Sequence, residues 1–277
     1  PYPGINVSML LSHRSGLPNY LHAMDDKKLW DKNKTVTNED MLQFLIQHQP
    51  KISFKPNTRF NYCNTNYVLL AMIIEKVSGK SFPDFLRENL FLPMGMTHSF
   101  VFTRADSATA TPSFNYGGNF WKNDFLEYTY GDKNVYSTPQ DMLKWDEALY
   151  SGKFIRQSLL DSAFTPQSHE KPSVHNYGLG WRLLMIPNGK KVVYHFGKWH
   201  GFTPAFARLT DERATIIILG NKYNSAIYRT AGQMYKLFGD YDTRLGQSDP
   251  DENRSTAEPP PPPPVKKATR SKLKVKS

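Results

Sequence analysis

The apolar positions of this chain recur with two different periods, and the change from one to the other organises it. Between Asn66 and Ser78, the residues Val68, Leu69, Met72, Ile73 and Val77 recur at steps of one, three and four. That spacing gathers side chains on one face of a helix. Gly79 follows directly, and a glycine there supplies the left-handed cap that ends a helix. The segment predicts a buried helix. Ser81 is placed to cap the next one, with Pro83 in its first turn and Phe85, Leu86 and Leu90 on its inner face. Thr138-Pro139-Gln140-Asp141 repeats this opening of cap, proline and acid, and predicts a helix through Met142, Trp145 and Leu149 that ends near Gly152.

Later the pattern changes to short runs rich in β-branched and aromatic residues. Lys191 to Phe196, Phe202 to Leu209 and Ala214 to Leu219 are separated by polar or glycine-containing breaks such as Thr210-Asp211-Glu212-Arg213. They predict an antiparallel meander. A last amphipathic helix, Ala226 to Phe238, offers Ile227, Met234 and Leu237 to the sheet. The fold class is therefore α+β, with a mainly helical middle and an antiparallel sheet completed near the C-terminus.

Composition limits what such a fold can be. The 277 residues are 39% hydrophobic and 13% aromatic, enough to build a core in one large domain or two modest ones. No run approaches the roughly 18 consecutive apolar residues a spanning helix needs. The chain opens on Pro1-Tyr2-Pro3, without an initiator Met or the pattern of a signal peptide, and is expected to begin inside a longer protein. A single cysteine, Cys63, cannot form an intrachain disulfide, and no Cys or His cluster has zinc-site spacing. His195 and His200, five apart, fall on opposite faces if they share a strand, so no metal is expected. Nothing calls for an organic cofactor.

The formal charge of +10 is concentrated at one end, where Lys266, Lys267, Arg270, Lys272, Lys274 and Lys276 supply six of the ten charges. From about Gly246 the sequence turns polar, and six prolines, Pro259 to Pro264, precede that basic run. The chain divides into a domain over 1–245 and a tail over 246–277, expected to be disordered around a stiff polyproline rod. An arm that contacts anionic lipid, cell wall or nucleic acid is the alternative for the tail.

Six blocks carry a resemblance. Leu10-Leu11-Ser12-His13-Arg14-Ser15-Gly16-Leu17-Pro18 resembles the "LLSHTSGLP" loop of the serine β-lactamase-like hydrolases, which include class C β-lactamases, penicillin-binding esterases and D-Ala-D-Ala carboxypeptidases. Phe60-Asn61-Tyr62-Cys63-Asn64-Thr65-Asn66-Tyr67-Val68-Leu69-Leu70 is similar to the block holding that family's Y-x-N motif. Leu92-Pro93-Met94-Gly95-Met96, Gly131 to Thr138, Tyr177-Gly178-Leu179-Gly180-Trp181 and His195-Phe196-Gly197 follow in the family's order. The resemblance implies a β-lactamase/transpeptidase-like fold and a serine acyl-enzyme, with export to the bacterial envelope.

The chemistry explains why those residue types recur. A serine hydroxyl is a weak nucleophile at neutral pH and needs a base, and the tetrahedral oxyanion needs fixed donors. By resemblance Tyr62 is the general acid/base, and Asn64 bonds the catalytic lysine and a substrate carbonyl. His195 stands where the lysine of the K-T-G motif would be, Gly197 leaves room for substrate, and the Lys198 amide is an oxyanion donor. Tyr136 and Trp199 line the cleft. Each has a structural alternative: a buried tyrosine before an apolar helix, a strand histidine or an aromatic wall can equally be core. His13 and Arg14 are expected to shape their loop.

The pattern is incomplete. The S-x-x-K turn that carries serine and lysine precedes the "LLSHTSGLP" loop in the family, so it is expected upstream of Pro1. Ser168-His169-Glu170-Lys171 and Ser271-Lys272-Leu273-Lys274 match the string, but no apolar helical pattern precedes either. The 277-residue chain alone is expected to be inactive and, lacking N-terminal strands and the nucleophile helix, to fold poorly with an uncovered apolar face. Phe196 replaces the K-T-G threonine, whose hydroxyl meets the carboxylate of β-lactams, so an ester, amide or peptide is the expected substrate. Two other readings are a non-catalytic member that binds peptide or cell-wall fragments, and a nucleic-acid or membrane-surface protein driven by the tail, which tail deletion would abolish. The chain has no G-x-S-x-G elbow, phosphate loop, H-E-x-x-H or G-x-G-x-x-G.

Overall fold

The computed structural model describes residues 1–241. The tail expected over 246–277, and with it Ser271, lies outside the described residues. Helices α1 (Val7–Leu11), α2 (Tyr20–Ala23), α3 (Asn38–His48), α4 (Asn64–Ser78) and α5 (Phe82–Leu86) form a helical subdomain. Helices α6 (Pro139–Ser151) and α7 (Gln157–Ala163) then lead into strands β3 (His175–Tyr177), β4 (Arg182–Met185), β5 (Lys191–Phe196), β6 (Ala205–Leu209) and β7 (Ala214–Ile218), and α8 (Ala226–Met234) follows. The strands pair in sequence order as an antiparallel sheet, β3-β4-β5-β6-β7. A separate two-stranded ribbon joins β1 (Phe100–Val101) to β2 (Val135–Tyr136).

Local chemistry sets the helix ends. Gly79 closes α4 at φ 69°, and Gly152 closes α6 at φ 67°. Ser81 and Thr138 each accept a hydrogen bond from the amide three residues on, those of Asp84 and Asp141. The predicted helix at 66–78 starts two residues earlier, at Asn64, because Cys63 takes the extended conformation of an N-cap. The helix after Ser81 relaxes into a π-turn over Arg87–Phe91. The strand expected from Phe202 begins at Ala205, since Phe202 closes a tight turn by bonding back to Trp199. The last helix tightens into a 3₁₀ turn at Tyr235–Leu237; Ile227 and Met234 pack on the sheet as expected, whereas Leu237 is 76% exposed. His200 lies beyond β5, in a turn at φ 49°, so it shares no strand with His195.

Alternation along the strands buries both faces of the sheet. Val192, Tyr194 and Phe196 face α8, while Val193 and Leu183 face Leu149, Leu160 and Phe164 of the α6–α7 layer. Each fully buried aliphatic side chain contributes roughly 1.5–3 kcal/mol. The helical subdomain has its own core, in which Tyr20, Met24, Met41, Phe44 and Val68 meet Leu126.

Outside these cores, Tyr2, Ile5, Leu42, Leu69, Met72 and Ile73 line an apolar groove of about 760 Å³, with Ile73 38% and Val77 83% exposed on the adjoining face of α4. An apolar surface of this kind binds hydrophobic dyes and promotes association. The 277-residue protein is therefore expected to enhance anilinonaphthalene sulfonate fluorescence and to associate as its concentration rises. A monomeric, cooperative thermal transition without dye binding is the contrary result.

Candidate active site

Tyr62 sits where the helical subdomain meets the sheet. It precedes Cys63, the N-cap of α4, whose N-terminal amides carry partial positive charge. Its ring lies 4.1 Å from that of His13, 6.1 Å from His195 of β5 and 6.4 Å from Tyr177 of β3. The guanidinium of Arg182, on β4, lies 5.3 Å from the Tyr62 ring centroid. Strand register explains the convergence: Tyr177 pairs with Arg182, and Arg182 with Tyr194, the residue before His195. Asn64 is half-buried in the first turn of α4.

His195 is held at both nitrogens. Nδ1 is 2.7 Å from the Phe196 carbonyl, and Nε2 is 3.2 Å from the Tyr177 hydroxyl. Burial, with the neighbouring Tyr67 and Tyr62, holds the Tyr177 phenol well above its ordinary range. Tyr67 is also raised by burial and donates to the Leu11 carbonyl at 2.8 Å. Both tyrosines therefore remain protonated. Tyr62 differs from them in having a guanidinium over its ring and the N-terminus of α4 close by.

The end of β5 is arranged by its pairing. Gly197 donates its amide to the Pro204 carbonyl at 3.0 Å, and its own carbonyl accepts the Tyr228 hydroxyl at 2.7 Å. Trp199 again bonds across to Phe202. Since Gly197 and Trp199 both point toward the β6 side, strand alternation turns the Lys198 amide to the opposite edge, past the end of β4 at the Arg182–Tyr194 pair. The Lys198 ammonium lies 4.7 Å from the Tyr223 ring centroid. Phe196 packs on Tyr228 of α8, on the face of the sheet away from His195.

The remaining expected site residues lie in clusters of their own. Tyr136 stacks between Phe100 and Phe102 with Phe202 at its edge, and burial pushes its phenol up to about 12. Trp199 donates to the Glu127 carboxylate at 3.3 Å, and the buried Lys133 ammonium lies 4.5 Å from its ring centroid. Asp124, Glu127 and His200 bring their ligating atoms within 4.8 Å of one another, a grouping no sequence spacing indicated. There the Glu127 oxygen already meets His200 Nε2 at 2.7 Å and the Trp199 indole, which ties the turn after β5 to the 124–127 loop. Ser168 lies in a loop and accepts from Arg14 at 3.1 Å, so its S-x-x-K string forms no helix turn. Arg182, Tyr177 and His13 were absent from the expected site residues.

Comparison with known proteins places this geometry. The chain is 36% identical over 260 residues to a penicillin-binding protein of Bacillus subtilis (strain 168), covering 86% of this chain and 57% of that protein. It is 27% identical over 224 residues to a D-aminopeptidase of Cereibacter sphaeroides (strain ATCC 17029 / ATH 2.4.9), covering 79% and 43% respectively. The chain thus spans about half the length of these relatives. Among solved structures, it superposes on a penicillin binding protein from Bacillus halodurans with TM-score 0.71 at 25% identity, over 86% of this chain and 74% of that one. A D-amino acid amidase from Ochrobactrum anthropi SV3, complexed with D-phenylalanine, gives TM-score 0.61 at 26% identity over 78% and 71%. The Beta-lactamase family profile matches residues 2–235, almost the whole described fold, and the chain belongs to that family.

Proposed function

We infer that this domain supplies the acid/base part of a serine hydrolase that works through an acyl-enzyme, with the serine and lysine contributed by polypeptide ahead of Pro1. The observation that carries the reading is Tyr62, set at the N-terminus of α4 with Arg182 over its ring and His195 beside it. In the reaction, Tyr62 accepts the proton of the attacking serine and returns it to the leaving group. Asn64 orients the lysine, His195 assists Tyr62, and the Lys198 amide donates to the oxyanion. Tyr136 and Trp199 form the aromatic wall beyond Lys198.

An amide of an amino acid or short peptide is the favoured substrate class. A D-aminopeptidase and a D-amino acid amidase are among the similar proteins, and Phe196, packed on Tyr228, offers no hydroxyl to a β-lactam carboxylate. The test compares two proteins. The 277-residue chain is expected to gain no covalent mass with a fluorophosphonate, while a chain extended upstream through S-x-x-K gains one adduct and turns over D-amino acid amides faster than nitrocefin. Labelling of the short chain, or nitrocefin as the better substrate, counts against the respective part of the reading. An upstream segment that lacks the serine or the lysine would instead leave a cleft that binds peptide or cell-wall fragments without turnover.

A further inference from the structure

His13 is a buried residue that accepts hydrogen bonds from the segment holding Tyr62 at both its carbonyl and its ring. Its carbonyl accepts the Asn61 amide at 3.0 Å, and its Nδ1 accepts the Cys63 amide at 3.1 Å. Tyr62 is thus clamped through the amides on both sides of it. Asn66 Nδ2 reaches the same Nδ1 at 3.3 Å, and its Oδ1 accepts the Ser15 hydroxyl at 2.6 Å. A backbone N–H can only donate, so Nδ1 carries no proton and the hydrogen of a neutral ring sits on Nε2. That Nε2 is buried without a hydrogen-bond partner.

An orphaned, buried N–H costs free energy, and so does the left-handed backbone of His13, at φ 54°. Both costs persist at the residue whose ring packs against Tyr62. The imidazole lies 4.1 Å from the Tyr62 ring at 36°, 5.0 Å from Tyr67 and 4.9 Å from Tyr177, which it meets edge-on. The titratable and charged groups around it are Tyr62 before α4, Tyr67 on α4, Tyr177 on β3, Arg182 on β4 and His195 on β5. Burial, then the charges of His195 and Arg182, holds its own ionisation well below the ordinary histidine range.

We propose that His13 is the positioning residue for Tyr62: its carbonyl and its Nδ1 fix the tyrosine main chain by accepting the amides on either side, and its ring packs against the phenol. This rests on the reading of Tyr62 as acid/base and adds the device that aims it. Orientation of a proton-transfer group matters at this scale, since a displacement of about 1 Å can cost on the order of 10²-fold in rate.

The test uses the 277-residue protein labelled with 15N-histidine and 13Cζ-tyrosine, with the Tyr62 resonance identified by its loss in Tyr62→Phe. His13 is expected as the Nε2–H tautomer, uncharged from about pH 8 to about pH 5 while free histidine titrates. His13→Phe keeps a ring but loses the acceptor. His13→Asn keeps an acceptor near Nδ1, tolerates the left-handed backbone and loses the ring. Each is expected to displace the Tyr62 resonance and to move its titration midpoint by about one pH unit. If His13→Phe does not fold, the wild-type tautomer and His13→Asn decide. A proton on Nδ1, a charged ring at neutral pH, or a Tyr62 resonance and midpoint unchanged in the variants overturns the proposal.

In the upstream-extended chain, His13→Asn is expected to lower kcat by on the order of 10²-fold with KM little changed. The two readings fail separately. Turnover that survives Tyr62→Phe, beside a displaced Tyr62 resonance in the His13 variants, removes the acid/base assignment and keeps the positioning. Turnover that needs Tyr62 but is unaffected by His13→Asn removes the positioning alone.

Discussion

Tyr62→Phe, placed in a chain extended upstream to carry S-x-x-K, is expected to lower kcat/KM on an amino acid amide by about 10²- to 10⁴-fold. The substitution removes one oxygen and leaves the ring, so the contacts with His13, Arg182 and His195 remain. The thermal midpoint should therefore stay close to that of the parent. The arithmetic rests on the role proposed for the hydroxyl, proton transfer in both the acylation and the deacylation step, and on the neighbouring Tyr67 and Tyr177 being held protonated by burial, so that they cannot take over. Steady-state kinetics on the purified variant decide the matter. A loss below tenfold would mean that another group carries the proton, and the reading of Tyr62 would fall.

The second large effect concerns stability. Arg208 of β6 and Asp146 of α6 form an ion pair whose side chains are 1% and 7% exposed. The guanidinium also lies 4.4 Å from the Tyr150 ring centroid. Desolvating two charges is expensive, and their pairing offsets it only while both are present. Asp146→Ala leaves the guanidinium buried without its carboxylate and is expected to destabilise the domain by about 3–5 kcal/mol. Against a typical total of roughly 5–15 kcal/mol, that places the variant near unfolding. Replacing both partners, as in Arg208→Met with Asp146→Leu, is expected to restore most of the loss. Urea denaturation of the two variants checks this, and a single substitution that costs less than about 1 kcal/mol would mean that the pair is hydrated rather than buried.

What could be read from the sequence was what local chemistry controls. Gly79, Ser81, Thr138 and Gly152 mark helix ends because a cap needs only its own turn, and the long runs 191–196 and 214–218 announce themselves by β-branched residues. Strands β3 and β4 escaped, since three or four residues carry too little periodicity and their Tyr177-Gly178-Leu179-Gly180-Trp181 turn resembles a motif more than a hairpin. Gly178 illustrates this: a Cβ there would stand 1.9 Å from the Ala163 carbonyl, a demand visible only once α7 is in place. Helix α3 was likewise missed, although Thr37 and Asp40 form a capping box at its start.

The same limit applies to the site. Tyr62 and His195 came forward as candidates through recurring blocks, but Arg182 reaches Tyr62 because β4 pairs with β5 in one particular register. A shift of one residue would send the guanidinium to the other face. His13 was expected to shape its loop, and it does so by bonding to the segment 61–63. Leu237 shows the converse error, since helical periodicity extrapolated past Met234 assigns it to a face that the 3₁₀ turn has already rotated toward solvent.

Strand β7 ends the sheet, pairing among the described residues with β6 alone. Its sequence, Ala214-Thr215-Ile216-Ile217-Ile218, has neither charge nor proline, and every second residue turns its amide and carbonyl outward. A second molecule presents the same row, and two such rows related by a two-fold axis zip together without either domain unfolding. Such pairing uses both β7 edges and closes as a two-fold dimer, so the expected sign is a concentration-dependent dimer in sedimentation rather than an open fibril. Arg213, one residue before the strand, is the charge placed to slow that pairing.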